Sequence, residues 1–229
     1  MKILVLSSGG VDSTTCLALA VKEAGAENVM ALSIYYGQKH DRELRAAEAV
    51  SEYYGVPYLS LDLEAIFAGS NCSLLKQSNQ DIPRESYAAQ IEETGGATPV
   101  STYVPFRNGL FLSAAASIAL SHGCGKIVYG AHADDAAGAA YPDCSIQFVE
   151  AMQTAISEGT GEQLRLEAPF VSVSKTEVVK TGLALGVPYH LTWSCYEGGE
   201  RPCGTCGTCI DRLAAFHRNG VLDPLELEV

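Results

Sequence analysis

Two stretches of the 229-residue chain hold side chains whose types and spacing could do chemistry. Near the start, Ser7-Ser8-Gly9-Gly10-Val11-Asp12-Ser13-Thr14-Thr15 follows an aliphatic run and opens an apolar helical pattern. Glycines there admit positive φ and close backbone approach, so successive N–H groups can form a nest for an anion. A helix beginning at the same place adds its free N–H groups and its positive end. Ser8, Ser13 and Thr14 supply short hydroxyls. The loop lacks the lysine of G-x-x-x-x-G-K-[ST] and the spacing of G-x-G-x-x-G, so it is built for neither γ-phosphate transfer nor a dinucleotide. The plainer alternative is an ordinary glycine turn capped by Asp12 or Ser13.

The second stretch is rich in thiols. Of eight cysteines, Cys16, Cys72, Cys124 and Cys144 are scattered and read as small buried hydrophobes. Cys195, Cys203, Cys206 and Cys209 crowd into a C-x7-C-x2-C-x2-C array. Four thiolates suit a tetrahedral zinc, and their softness excludes magnesium or calcium. Gly204 and Gly207 follow two of the ligands, where tight turns are needed. An iron–sulfur cluster is the rival; ferredoxin runs continue x3-C-P, whereas Ile210-Asp211-Arg212-Leu213 follows Cys209. One structural zinc per chain is expected, with His190 and His217 surplus to the set.

Single residues add to these. Arg107 stands at a loop-to-helix junction and offers planar, bidentate donors to a carboxylate or phosphate, while Asn108 could serve as ligand or cap. His132, Asp134 and Asp135 follow a strand at the edge where doubly wound folds bind ligands; capping is preferred for Asp135. Lys175 opens a helix, where its charge opposes the dipole, so a phosphate-binding role explains it better than stability does. Asp143 could accept from the N–H edge of a base.

These residues need elements to hold them. The pattern predicts strands at Lys2–Leu6, Val29–Tyr35, Tyr58–Leu63, Lys126–Ala131 and Leu164–Ala168. Helices are expected at Ser13–Ala24, Asp41–Tyr54, Gly109–Ser121, Ile146–Ser157, Ser174–Leu185 and Ile210–Asn219, with Gly25, Gly55 and Gly186 as stops. Alternation of strand and helix implies an α/β doubly wound parallel sheet with right-handed crossovers. Glu64–Val100 is irregular and reads as loop or short helix over the site's rim. The division expected is residues 1–190 as the doubly wound domain carrying the glycine loop and 191–229 as a zinc-binding tail packed on it in one unit.

Composition closes other doors. With 47% hydrophobic and 18% charged residues the chain is not disordered. A net charge of −12 disfavours an extended nucleic-acid-binding face. Ile3–Leu6 is too short for a signal-peptide core, and the uncharged stretch Asn108–Gly125 carries too many serines and glycines for a membrane span. A cytoplasmic protein is expected, as a homodimer without membrane or direct nucleic-acid partners.

Ser8-Gly9-Gly10-Val11-Asp12-Ser13 resembles the pyrophosphate loop of the PP-loop, or N-type, ATP pyrophosphatases, a family with an adenine nucleotide alpha hydrolase-like fold. Together with the cysteine array it resembles the 7-cyano-7-deazaguanine synthase family within that group. Tyr36-Gly37-Gln38-Lys39-His40, Val104-Pro105-Phe106-Arg107-Asn108, Tyr141-Pro142-Asp143-Cys144 and Trp193-Ser194-Cys195 fit as well, and the likeness runs from Leu6 to about Phe216. The resemblance implies ATP and Mg²⁺ at Ser7 through Leu17, including Cys16, and catalytic roles for Asp12, Ser13, Arg107 and Lys175. It implies 7-carboxy-7-deazaguanine and ammonia as substrates, with Arg107, Asn108, Asp134, Tyr141, Asp143 and Trp193 near the deazaguanine. The implied reaction adenylates first an acid and then an amide, giving a nitrile. The alternatives are a PP-loop tRNA sulfurtransferase with sulfur on Cys206 or Cys209, and a non-catalytic zinc-knuckle module.

Overall fold

A computed structural model describes residues 1–93, 95, 98–137 and 140–226. The aliphatic runs form five parallel strands, β1 (Lys2–Leu6), β2 (Val29–Tyr35), β3 (Tyr58–Asp62), β4 (Cys124–Val128) and β5 (Arg165–Glu167), in the order β3-β2-β1-β4-β5. Between and after them lie α1 (Val11–Ala24), α2 (Arg42–Tyr54), α3 (Tyr87–Glu93), α4 (Arg107–Ser121), α5 (Ala133–Ala136), α6 (Ile146–Gly159), α7 (Lys175–Leu185) and α8 (Gly207–Arg218). Residues 94, 96 and 97, inside the stretch expected to be irregular, lie outside the described residues.

The central strands are continuously apolar because helices cover both faces of the sheet. Ile3 and Val5 turn to a core shared with Cys16, Leu17 and Ala20 of α1, Val50 of α2 and Val178 of α7. Leu4 points the other way, onto Leu112, Ala115 and Ala119 of α4 and Val149 and Ile156 of α6. α1 is apolar around most of its girth because its far side meets Val179, Tyr189, Ala215 and Phe216.

Strand order creates the crevice. From β1 the chain steps outward through β2 and β3, then returns to the other side of β1 for β4 and β5. The loops leaving β1 and β4 therefore diverge, and the carboxyl ends of these two neighbours frame a topological switch point, where such folds bind ligands.

Several boundaries differ from expectation, each for a reason tied to that crevice. β4 stops at Val128, not Ala131, so Tyr129–His132 leave the sheet toward α1. A Cβ on Gly130 would lie 3.0 Å from Asp12 C and Ser13 N, so that backbone approach requires glycine. α4 begins at Arg107, two residues early, after Phe106 takes the left-handed conformation at φ 53°. α8 begins at Gly207, inside the cysteine array. Ser174 and Glu177 form a capping box at the start of α7.

The stretch between β3 and α4 is largely loop, with a 3-10 turn at Glu64–Phe67 and the helix α3. It is nevertheless packed: Phe67, Cys72, Leu74, Leu75 and Ile82 share a core with Trp193, Cys195, Cys206 and Cys209. At the C-terminal end, Arg212 is buried and donates to both carboxylate oxygens of Asp223, at 2.6 and 2.9 Å. Its remaining donors reach Thr192 Oγ1 at 2.8 Å and the Tyr189 carbonyl at 3.2 Å. Among the described residues no helix is long and apolar enough to cross a membrane.

Candidate active site and metal centre

At the switch point lies a cavity of about 230 Å³. Its floor is the loop between β1 and α1. Gly9 holds φ +77°, and a Cβ there would fall 2.3 Å from the Glu43 carbonyl oxygen and 2.6 Å from Ala47 N, so the loop seats on α2 only as glycine. Ser13 Oγ accepts from Ser8 N at 3.1 Å and lies 3.1 Å from Ser8 Oγ. Two hydroxyls and the N-terminal end of α1 thus face one spot, the arrangement an oxyanion needs.

Charge comes from α7. Lys175 Nζ donates to Asp12 Oδ2 at 2.7 Å and lies 3.5 Å from His132 Nε2. His132 Nε2 in turn stands 3.3 Å from Asp135 Oδ2. Burial pushes the Asp12 carboxyl up, but the Lys175 ammonium and His132 outweigh it and hold it below the usual carboxylate range. For Lys175, burial acts downward and is outweighed by Asp12 and Asp135, so the amine stays protonated. Asp135 is raised, burial prevailing over His132 and Lys175. Asp12 Oδ1, Ser7 Oγ and His132 Nδ1 are buried without a hydrogen-bond partner among the described residues.

The opposite wall is aromatic and basic. Arg107 Nη1 donates to Tyr36 OH at 3.2 Å, and its guanidinium lies 5.1 Å from the Tyr36 ring centroid and 5.8 Å from that of Phe111. Trp193 donates through Nε1 to the Cys195 carbonyl at 2.8 Å and through its backbone N–H to the Gly9 carbonyl at 2.9 Å. Tyr87 OH and Tyr196 OH share a hydrogen bond of 2.6 Å, and Tyr141 OH bonds Thr102 Oγ1 at 2.5 Å. Glu43 also lines the cavity; burial raises its carboxyl to about 7, with Arg107 acting in the other direction.

Of the residues expected at the site, Ser7, Ser8, Gly10, Asp12, Ser13, Arg107, Asn108, Tyr141, Lys175 and Trp193 line this one cavity. Val11, Thr14, Thr15, Cys16 and Leu17 do not: their side chains are fully buried in the body of α1, Thr15 bonded to Tyr189 OH at 2.8 Å. Asp134 and Asp135 exchange the parts expected of them. The Asp134 carboxylate accepts from Lys175 N at 2.8 Å and so caps α7, whereas Asp135 lines the cavity. Asp143 is buried and accepts from Asn108 N at 2.8 Å, capping α4 instead of facing the cavity. Tyr36, Glu43, Tyr129, Tyr196 and Asp211 also line the wall, and the sequence reading missed all five. For Glu43 a signal existed: it falls on the same helical stripe as the buried Ala46, Ala47 and Val50.

Beyond Trp193, the four cysteine sulfurs lie within 4.8 Å of one another. A tetrahedron of sulfurs at Zn–S 2.3 Å has edges of roughly 3.8 Å, so a small contraction closes it on a metal. Cys195 Sγ accepts from the N–H groups of Glu197 at 3.4 Å and Cys203 at 3.3 Å, and Cys203 Sγ from Cys206 N at 3.3 Å. Hydrogen bonds from Cys206 and Cys209 draw the Cys195 thiol down and push their own thiols up, so the three sulfurs converge on one point.

The family model described as queuosine biosynthesis protein QueC matches residues 2–220. The chain is 43% identical to the 7-cyano-7-deazaguanine synthase of Caldicellulosiruptor bescii over 229 residues, covering 100% of this chain and 98% of that protein. It is 41% identical to the enzyme of the same name from Archaeoglobus fulgidus, over 98% of this chain and 90% of that protein. Among solved structures it resembles the U34-tRNA thiolase NcsA from Methanococcus maripaludis with its 4Fe-4S cluster. The TM-score is 0.51 and the identity 18%, covering 86% of this chain and 61% of that one, a likeness of fold alone.

Proposed function

The chain belongs to the queuosine biosynthesis protein QueC family, and from that membership we propose how its cavity makes 7-cyano-7-deazaguanine. It is an enzyme, and its product is the queuosine precursor for which its relatives are named. In our reading the carboxylate of 7-carboxy-7-deazaguanine attacks the α-phosphorus of ATP, and the α–β bond breaks with loss of pyrophosphate. Ammonia then attacks the acyl carbon, loses a proton and expels AMP, leaving the amide. A second ATP adenylates the amide oxygen, with loss of pyrophosphate and of one N–H proton; loss of AMP and the remaining nitrogen-bound proton gives the nitrile.

The chain's part is placement and charge. Ser8, Ser13 and the first N–H groups of α1 receive the pyrophosphate oxygens, and Lys175 neutralises them. Arg107 holds the reacting carboxylate from the other wall. Tyr36, Phe111 and Trp193 give the planar ring apolar faces and keep out water that would hydrolyse the acyl adenylate. The unpartnered Asp12 Oδ1 is an oxygen donor suited to Mg²⁺, which when bound supplies further neutralisation of the leaving pyrophosphate. We assign one zinc to Cys195, Cys203, Cys206 and Cys209, ordering residues 191–229 on residues 1–190. The donor chemistry supports zinc.

The observation that carries this reading is the Lys175–Asp12 contact beside the Ser8–Ser13 hydroxyls, with Arg107 on the wall of the same cavity. The sulfurtransferase alternative is not favoured, because the relatives are named as synthases. A cytoplasmic enzyme acting on the free base completes the proposal, supported by the net charge of −12. Incubation with ATP, ammonium and 7-carboxy-7-deazaguanine should give the nitrile with two AMP and two pyrophosphate for each product. Release of ADP and phosphate instead would reverse the assignment of the loop.

A further inference from the structure

Three carboxylates at or behind the cavity wall have a protein partner. Asp12 is bound to Lys175, Asp135 faces His132, and Asp143, once expected to read a base, is occupied by Asn108 N–H. Two on the cavity wall have no hydrogen-bond or ion-pair partner among the described residues: Asp211, which feels Lys175 and the acids at the phosphate end, and Glu43, which feels Arg107. Glu43 is not exposed, yet its oxygens are not sealed in protein. A carboxylate held out of bulk water without a partner is costly unless a ligand completes it.

The chemistry that completes a carboxylate is a pair of adjacent donors. A ring N–H beside an exocyclic amino group presents two parallel hydrogens, which the two oxygens accept together. Tyr36, Phe111 and Trp193 on the same wall suit a flat heterocycle, and Arg107 beside them suits an anionic substituent on it. We propose that Glu43 determines specificity by accepting the ring N–H and amino group of the deazaguanine, an assignment that rests on the reading of the cavity given above.

The test compares wild type with Glu43→Gln and Glu43→Ala on two ligands, 7-carboxy-7-deazaguanine and its analogue lacking the exocyclic amino group. Wild type should bind the analogue roughly tenfold more weakly or worse, the discrimination of a bidentate donor–acceptor pair. Both variants should weaken binding of the parent compound about tenfold and narrow the preference to within about threefold, leaving the KM for ATP unchanged and the Tm unlowered. A variant that keeps the full preference, that raises the KM for ATP instead, or that only lowers Tm overturns the assignment. The two readings fail differently. If wild type makes no nitrile from ATP and ammonium, the proposed function falls; if it does while the variants discriminate as it does, Glu43 alone is wrong.

Discussion

Asp12 and Lys175 neutralise each other across 2.7 Å with side chains 21% and 11% exposed, so neither can be removed without stranding the other. Asp12→Asn and Lys175→Met should each cost about 1–3 kcal/mol in chemical denaturation. The double variant should cost less than their sum, because no charge is left unpaired. AMP release should collapse in all three; survival in any one would take the pair out of catalysis. The Asp12 carboxyl is depressed in the fold, so its contribution is complete above the usual carboxylate range and fades on acidification. The stability advantage over the double variant should therefore begin to fade below about pH 4 and be lost only once the pH has fallen through the depressed value that Asp12 has in the fold. Asp143→Ala makes the contrasting case. It should cost about 1–2 kcal/mol through the lost cap on α4, with KM unchanged in the protein that folds. Sequence singled out both members of the ion pair by residue type, though not their pairing, and it could not tell Asp134 from Asp135. The two are adjacent, and which one turns to Lys175 N–H is set by how α5 meets α7, a tertiary matter.

Elements were easier to foresee than the site they build. Buried parallel strands announce themselves as aliphatic runs, and β1 and β2 fall where the pattern put them. Ends were harder, since β4 stops early to bring Tyr129–His132 against α1, and within Lys126–Ala131 Gly130 is the one local sign of that contact. The segment from Glu64 to Val100 was hard for the same reason: its apolar residues are satisfied by the cysteine tail, far away in sequence, and show no period of their own. The loop against α2 gives a test at this scale. Gly9→Ala must place a Cβ into the α2 backbone at a left-handed φ, so it should destabilise by at least about 2 kcal/mol, read from the denaturation midpoint. Gly55→Ala, also left-handed but with open space, should cost less. Equal losses would mean that φ, not the seat on α2, makes the loop glycine.

Across the whole molecule, the C-terminal stretch meets the glycine loop, where Trp193 N–H donates to the Gly9 carbonyl. Asp223→Ala leaves the Arg212 guanidinium buried and uncompensated, which should cost about 3–5 kcal/mol in thermal or chemical unfolding. Cys206→Ser should lower bound metal and Tm together, with activity following the fold. Elemental analysis should find one zinc in a colourless wild-type protein; a brown protein rich in iron would replace zinc by a cluster. A stable, metal-loaded Cys206→Ser protein without activity would instead give the thiol a chemical role. Trp193 N–H on the Gly9 carbonyl has a bearing on how the protein is made. The ribosome makes Ser7–Ser13 first, yet β4, Lys175 and Trp193, which flank that loop in the folded chain, emerge more than 100 residues later. A nascent chain stalled before Trp193 carries the glycine loop with neither its cover nor its metal knuckle. Arrested chains of increasing length should therefore gain nucleotide-dependent resistance to protease only once Trp193 and the four cysteines have cleared the exit tunnel.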